Sequence, residues 1–158
     1  MAKKKKELSF IEKLRIIKHA GLEGSPEIRK KYQPDPLKPL SERIEQIFGI
    51  VKQFKNNSEK MIYFVMYDIE NNKVRTQVAK YLIKKGCTRV QKSIFLANTD
   101  RIVYNEIKTD LKEVQECYEN NDSIFLVPVS TDEIKAMKVI GQNIDFDLIL
   151  QNKNTMFF

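Results

Sequence analysis

Residues 61–68, Met-Ile-Tyr-Phe-Val-Met-Tyr-Asp, decide the fold, because a continuous apolar run ends there in a single carboxylate, that of Asp68. The run is too short and too uniformly apolar for a surface helix, so it predicts a central β-strand buried on both faces. After Glu70, residues 71–99 contain seven Lys or Arg and no acidic residue. A carboxylate at the end of a buried strand, beside a basic segment, suits a metal ion held against a phosphate backbone. Nucleic acid is therefore the first partner to consider.

The segments after this strand alternate between helix and strand. They are a short helix, a β-rich region, a long amphipathic helix and another buried strand, over residues 73–85, 87–97, about 100–119 and 123–129. Asn71 or Asn72 can cap the short helix, and Gly86 can end it. The β-rich region must supply two strands through a tight bend, although it contains neither Gly nor Pro. This order predicts an α+β domain, a ferredoxin-like βαββαβ sandwich.

In such a sandwich both helices cover the same face of the sheet, and the other face is left free. The strands are apolar on both sides, so the free face needs a cover of its own. We therefore expect a second copy of the chain to pack there, which predicts a homodimer.

Residues 1–60 predict a basic helical extension with a proline-rich linker. Ser9-Phe-Ile-Glu12 is a capping-box pattern that opens one amphipathic helix, and Ser41 can cap a second. The apolar stripes of these helices must pack on the main domain, on each other or on a partner. Beyond the domain, predicted over residues 61–143, the tail 144–158 is either a local edge strand or a strand exchanged with or added to another chain.

Composition excludes several classes of protein. The chain has 158 residues, 42 % of them hydrophobic, as expected of a globular protein. It has neither an apolar run of membrane-spanning length nor a signal-type apolar core, which predicts a cytoplasmic protein that contacts no membrane. Cys87 and Cys117 lack CxxC spacing, and His19 is the single histidine, so neither a zinc site nor a His-dependent triad is expected.

The net charge of +7 is unevenly distributed. Segment 71–99 carries seven positive charges, whereas the rest of residues 61–158 holds six cations and 13 anions. We expect a basic face and an acidic face on the main domain. Such a distribution directs a polyanion to one side of the molecule.

Short motifs in the main domain occur in a familiar order and spacing. They are Tyr67-Asp68-Ile69, Arg75, Gly86, Arg89-Val-Gln91 and Ser93-Ile94-Phe95. Over about residues 61–141 the chain thereby resembles the CRISPR-associated Cas-two family, the small adaptation subunit often described as an endoribonuclease. Gln77 and Leu96 depart from the family pattern, which commonly has a basic residue and a glutamate at these positions. The extension 1–60 is also foreign to that pattern.

The resemblance implies a symmetric dimer of ferredoxin-like subunits that bridges CRISPR integrase subunits. Some family members are magnesium-dependent nucleases that act on RNA or double-stranded DNA. The resemblance also implies that two Asp68 residues, one from each protomer, face each other and together hold Mg²⁺.

The residues themselves predict the following roles. Asp68 is the candidate catalytic and metal-binding residue; alternatively, it only caps the first helix. Tyr67 and Phe95 are expected to be aromatic residues of the core or the dimer interface. Basic side chains that neutralise phosphates make binding salt-sensitive and tolerant of sequence. The candidates for these contacts are Arg75, Lys80, Lys84, Lys85, Arg89 and Lys92.

Three functions stay open at this point. The first is a dimeric adaptation subunit that binds duplex DNA and bridges integrase subunits during spacer acquisition, with or without magnesium-dependent endonuclease activity. The second is a free-standing metal-dependent ribonuclease of toxin type. The third is a protein-interaction module that binds no nucleic acid.

Overall fold

The computed structural model describes residues 8–19, 37–53, 59–118 and 120–141. Its helices are α1 (Phe10–His19), α2 (Leu40–Gln53), α3 (Asn72–Lys84), α4 (Arg101–Glu116) and α5 (Thr131–Ala136). Its strands are β1 (Lys60–Asp68), β2 (Thr88–Gln91), β3 (Ile94–Asp100) and β4 (Ser123–Pro128). The predicted tail 144–158 lies outside the described residues. No helix among those described is long and apolar enough to span a bilayer.

The four strands form one antiparallel sheet in the order β2-β3-β1-β4. Apolar strand β1 lies between β3 and β4, and the chain order β1-α3-β2-β3-α4-β4 gives the βαββαβ connectivity. This confirms the predicted ferredoxin-like fold, and helices α1 and α2 confirm its N-terminal helical extension. The domain boundaries proposed from the sequence stay predictions.

The β-rich region does supply two strands, and Lys92-Ser93 forms the turn between them. A bulge between Arg89 and Gln91 adjusts the register of β2 and β3. The Arg89 Nη2 donates to the Lys92 carbonyl oxygen at 2.8 Å. The Tyr67 N–H also donates to the Ser93 carbonyl at 3.0 Å, which attaches the turn to the end of β1. Side-chain and ladder hydrogen bonds therefore close a turn that contains neither Gly nor Pro.

Helices α3 and α4 cover one face of the sheet, here called the helix face. Tyr63, Val65 and Phe95 point into this core and are fully buried. Helix α1 adds to the same side: Leu14 is buried in the cluster, and the Phe10 ring stacks on Tyr81 with centroids 4.4 Å apart. The first N-terminal helix thus packs on the main domain.

The opposite face, here called the open face, is covered at one end by the chain itself. Ile47 and Val51 of α2 pack there with Ile62, Leu96 and Ile134 in a second buried cluster. The expectation that this face needs a second copy for its cover is therefore wrong for the part under α2 and α5. Beyond α2 the face is less protected, and Phe125 of β4 is 58 % exposed.

Candidate nucleic-acid interface and carboxylate site

One end of the sheet collects several of the predicted site residues. Asp68 ends β1 and is paired with Ser123 at the start of β4. The Lys92-Ser93 turn meets the same end of β1, because the Tyr67 N–H donates to the Ser93 carbonyl. Helix α3 also begins here, since residues 69–71 alone separate it from β1. The antiparallel topology therefore brings the end of β1, the β2–β3 turn and the start of α3 together.

Asp68 is exposed and lies on the open face. Side chains alternate along a strand, so Asp68 shares this face with Met66, whereas Tyr67 points into the helix-face core. Phe125 is the β4 residue opposite Met66, so the exposed carboxylate lies next to the uncovered part of the open face. Asp68 is thus presented at the surface that α2 leaves accessible.

Helix α3 is capped by Asn71 and not by Asp68. The Asn71 Oδ1 accepts the backbone N–H groups of Lys73 at 3.0 Å and Val74 at 3.2 Å. Asparagine is among the best N-cap residues, because its side-chain oxygen satisfies N–H groups that the helix leaves without partners. The alternative that Asp68 serves only as a helix cap is therefore wrong.

The described residues of one chain do not complete a magnesium site at Asp68. No group of three or more His, Cys, Asp or Glu side chains suited to a metal ion occurs within the described ranges. Mg²⁺ requires six oxygen ligands in near-octahedral geometry, and a single exposed carboxylate fixes it poorly. The described residues of a single chain therefore do not fit a magnesium ion unless a further carboxylate reaches Asp68.

Tyr67 and Phe95 lie in the helix-face core, with ring centroids 6.1 Å apart. The Tyr67 phenol oxygen is buried and forms no hydrogen bond with any of the described residues. Burial raises the pKa of Tyr67 to about 12, although the positive charges of Arg89 and Arg75 act in the opposite direction. Both guanidinium groups are therefore near this phenol, and it stays protonated at neutral pH.

Arg75 and Arg89 hold local structure at the Asp68 end. Arg75 donates to the Ile69 carbonyl at 3.3 Å and to the side chain of Asn72. The Arg89 guanidinium carbon lies 5.9 Å from the centroid of the Phe95 ring, within the range of a cation–π contact. Both side chains are half-buried, and they bring positive charge to the sheet end that also carries exposed Lys92.

Of the remaining three predicted cations, Lys80 and Lys84 lie in the second half of α3 and Lys85 directly follows its end. Lys80 and Lys84 are exposed, and Lys85 forms an ion pair with Glu106 of α4 at 2.7 Å. Lys84 is about 14 Å along the helix from Arg75, given a rise of about 1.5 Å per residue. The structure thus separates the six predicted residues into two groups, one around Asp68 and one farther along α3, on an extended surface.

Asp122, which no sequence motif singled out, joins two loops at the Asp68 end. Its Oδ1 accepts the Glu70 N–H at 3.1 Å, and its Oδ2 accepts the Tyr118 hydroxyl. Asn120 to Asp122 is a turn-type sequence, but turn chemistry explains only contacts between near neighbours. A contact across 52 residues has no local signal.

Comparisons with known proteins identify the family. The model of the family described as CRISPR associated protein Cas2 matches residues 61–137. A CRISPR-associated endoribonuclease Cas2 1 of Francisella tularensis subsp. novicida is 34 % identical over 46 % of this chain and 72 % of its own length. The chain belongs to the CRISPR-associated Cas2 family. This confirms the resemblance to the Cas-two family that the sequence motifs indicated.

Two other Cas2 relatives agree with this assignment. A CRISPR-associated endoribonuclease Cas2 of Aeropyrum pernix is 27 % identical over 54 % of this chain and 91 % of its own length. A CRISPR-associated endoribonuclease Cas2 of Thermofilum pendens is 28 % identical over 61 % of this chain and 100 % of its own length. The family match begins in β1 and includes the βαββαβ unit and α5, whereas helices α1 and α2 lie before it.

Proposed function

We propose that the protein is a dimeric CRISPR adaptation subunit that binds duplex DNA and bridges integrase subunits during spacer acquisition. The observation that carries the proposal is the exposed Asp68 at the uncovered end of the open face, where the described residues form no group of three metal-ligating side chains, in a chain of the Cas2 family. A surface on which Asp68 lacks such a group within one chain favours a role in an assembly of two chains over cleavage by a monomer.

The uncovered end of the open face is the surface for the second copy. Phe125 is exposed there, and Met66 and Ile94 are half-buried beside it. Helix α2 occupies the other end, so the dimer contact is restricted to the region around Asp68. A second copy on this surface would bring its own Asp68 to the first. The two carboxylates are the residues that would hold Mg²⁺.

The cations of segment 71–99 support binding to a phosphate backbone. They lie on helix α3, directly after its end, in β2 and in the β2–β3 turn, without an acidic residue between them in sequence. Lys and Arg that contact phosphates release counterions without reading bases, so duplexes of different sequence should bind alike. Lys85 contributes less, since Glu106 already neutralises it.

A second candidate is a metal-dependent endoribonuclease. The names of the three relatives, each called a CRISPR-associated endoribonuclease, favour it, as does the exposure of Asp68. The same dimer would provide both activities, so the question is which one needs Asp68.

Substitution of Asp68 by Ala separates the two candidates. We expect the variant to dimerise, to bind a labelled DNA duplex and to support integration of a short duplex into a CRISPR repeat by the cognate integrase. Cleavage of RNA in the presence of Mg²⁺ should be lost. Glu113→Ala, which removes an exposed carboxylate on α4, is the matched control and should change neither activity.

Two results would contradict the adaptation role. One is loss of integration by Asp68→Ala while the dimer and DNA binding persist. The other is duplex binding that does not weaken between 50 and 200 mM salt, because phosphate contacts must release counterions. Wild-type protein that fails to bind any duplex or RNA would instead favour a protein-interaction module.

A further inference from the structure

Asp122 lies in the connection between α4 and β4, where its carboxylate binds two other segments of the chain. Oδ1 accepts the Glu70 N–H at 3.1 Å, and Oδ2 accepts the hydroxyl of Tyr118. The Asp122 N–H itself donates to Asn120 Oδ1 at 2.9 Å. A half-buried carboxylate therefore connects the end of α4, the start of β4 and the loop after β1.

These contacts fix the backbone on both sides of Asp68. Ser123, the residue after Asp122, is the β4 partner of Asp68 in the sheet. Glu70, which donates to Asp122, is two residues beyond Asp68 and next to the α3 cap Asn71. The short loop of residues 69–71 is thus held at one end by the sheet, at the other by the helix cap, and in the middle by Asp122.

Tyr118 keeps the Asp122 carboxylate in this position. Burial and then the hydrogen bond to Asp122 raise the pKa of the Tyr118 phenol, so it remains a donor through the neutral pH range. A hydrogen bond to a charged acceptor is stronger than one between neutral groups. The carboxylate is therefore bound from two directions, by a side chain of the α4 end and by the backbone of the β1–α3 loop.

We propose that Asp122 is a positioning residue that holds the backbone of residues 68–70, and with it the Asp68 carboxylate, at the open end of the sheet. The proposal rests on the proposed function of Asp68 and assigns Asp122 no contact with nucleic acid. Groups that orient a ligand residue commonly change metal affinity or activity by about 10- to 100-fold when removed.

Three variants separate the two contacts of Asp122. Asp122→Ala removes both, and Asp122→Asn keeps an oxygen that can accept the Glu70 N–H. Tyr118→Phe removes the support from α4 and leaves the Glu70 contact in place. Asp132→Ala is the matched control, because that carboxylate pairs with Lys135 at 3.7 Å in a different part of the chain.

The first measurement needs no activity. Amide hydrogen exchange of the full-length protein should show the Glu70 N–H exchanging about 10-fold faster or more in Asp122→Ala, because its acceptor is lost. Asp122→Asn and Asp132→Ala should stay within about 3-fold of wild type. Unchanged exchange at Glu70 in Asp122→Ala would overturn the proposal, whether or not the protein proves to be a nuclease.

The second measurement tests whether the loop of residues 69–71 affects Mg²⁺ binding and cleavage at Asp68. In a MgCl₂ titration followed by the Asp68 amide resonance, Asp122→Ala should raise the half-saturating concentration about 10-fold. In a cleavage assay it should lower kcat and leave the KM for a labelled oligonucleotide unchanged, and Asp122→Asn should restore most of both values. Equal impairment of Asp122→Asn and Asp122→Ala would overturn positioning by hydrogen bonding. If wild type shows neither Mg²⁺ response nor cleavage, the metal part of the proposed function fails, and hydrogen exchange alone decides on Asp122.

Discussion

The two faces of the sheet are built from alternate residues of the same strands, yet they are covered in different ways. Helices α3 and α4, which belong to the Cas2 match, cover the helix face completely at its centre, where Tyr63 and Val65 are fully buried. The open face is covered only in part, by α2, which precedes the match, and by Ile134 of α5, which lies within it. The core of the helix face is thus built mainly by elements of the family match, whereas the smaller core of the open face needs α2, which precedes the match, as part of its cover.

Leu96 illustrates how the second core suits this particular sequence. Leu96 is fully buried beneath α2 with Ile47. A carboxylate would be costly to bury among aliphatic side chains without a partner. The apolar side chain of Leu96 therefore suits the cover that α2 provides on the open face.

The largest expected effect is the loss of stability when a buried side chain is truncated in either of the two cores. Phe95→Ala on the helix face should lower the free energy of unfolding by about 3–5 kcal/mol, and Ile47→Ala on the open face by about 2–5 kcal/mol. Phe95 is fully buried and Ile47 is 1 % exposed, so both leave cavities. Urea denaturation followed by circular dichroism measures both values.

Ile102→Ala is the control, because Ile102 is 73 % exposed and should change stability by less than about 0.5 kcal/mol. If Ile47→Ala behaves like this control, α2 is not an integral part of the fold. The second core would then be a loosely attached cover, and the comparison between the two faces would fail.

A smaller change in stability is expected when the hydroxyl group is removed from either of two tyrosines on the helix face. The Tyr63 phenol oxygen is hydrogen-bonded to the Thr99 hydroxyl at 2.8 Å, whereas that of Tyr67 has no partner among the described residues. Tyr63→Phe should therefore cost about 1 kcal/mol, and Tyr67→Phe should be neutral or stabilising by about 1 kcal/mol. Thermal unfolding at pH 7 distinguishes the two signs, and a clear loss of stability in Tyr67→Phe would contradict the assignment.

The same substitution changes the response to alkaline pH. Burial raises the pKa of Tyr67 to about 12, above the value of about 10 for an unfolded tyrosine. Between these values the unfolded chain releases a proton that the folded protein keeps, so stability falls as the pH rises through this window. Tyr67→Phe should reduce this fall between pH 10 and 12, and an unchanged slope would contradict the raised pKa.

Much of this fold could be predicted from local patterns. The uniform apolar run of β1 indicated a central strand, and the capping box at Ser9 and Glu12 is present, with Glu12 N–H to Ser9 Oγ at 3.2 Å. The position of α2 could not be predicted, because an amphipathic stripe shows that a face is buried and not which surface buries it. For the same reason the sequence predicts a second copy over the open face, whereas α2 and α5 cover one end of it.

In the candidate site, too, some residues could be predicted from the sequence and others could not. Asp68 was predictable because a polar residue that ends an apolar strand must emerge at the edge of the sheet. The separation of Arg75 from Lys84 along α3 follows from helix geometry once the helix is known. Asp122 was not predictable, because its bond to Glu70 depends on β4 pairing with β1, which is a property of the whole sheet.

The smallest expected effect separates folding from function at the end of β1. Asn71→Ala should cost about 1 kcal/mol of stability, because it removes the cap from the N–H groups of Lys73 and Val74. Asp68→Ala should change stability by less than about 0.5 kcal/mol, since the side chain is exposed and caps nothing. Both values can be read from chemical denaturation at low protein concentration, where a dimer contributes least.

Whether Asp68→Ala or Asn71→Ala lowers stability more depends on the role of Asp68, which is either structural or functional. If the carboxylate serves the fold, Asp68→Ala must cost at least as much as Asn71→Ala. If it serves a site on the uncovered end of the open face, its removal leaves the fold intact, as does the removal of any exposed side chain. A stable Asp68→Ala protein with altered assembly or cleavage would show that the open face, although it carries the smaller core, is the functional one.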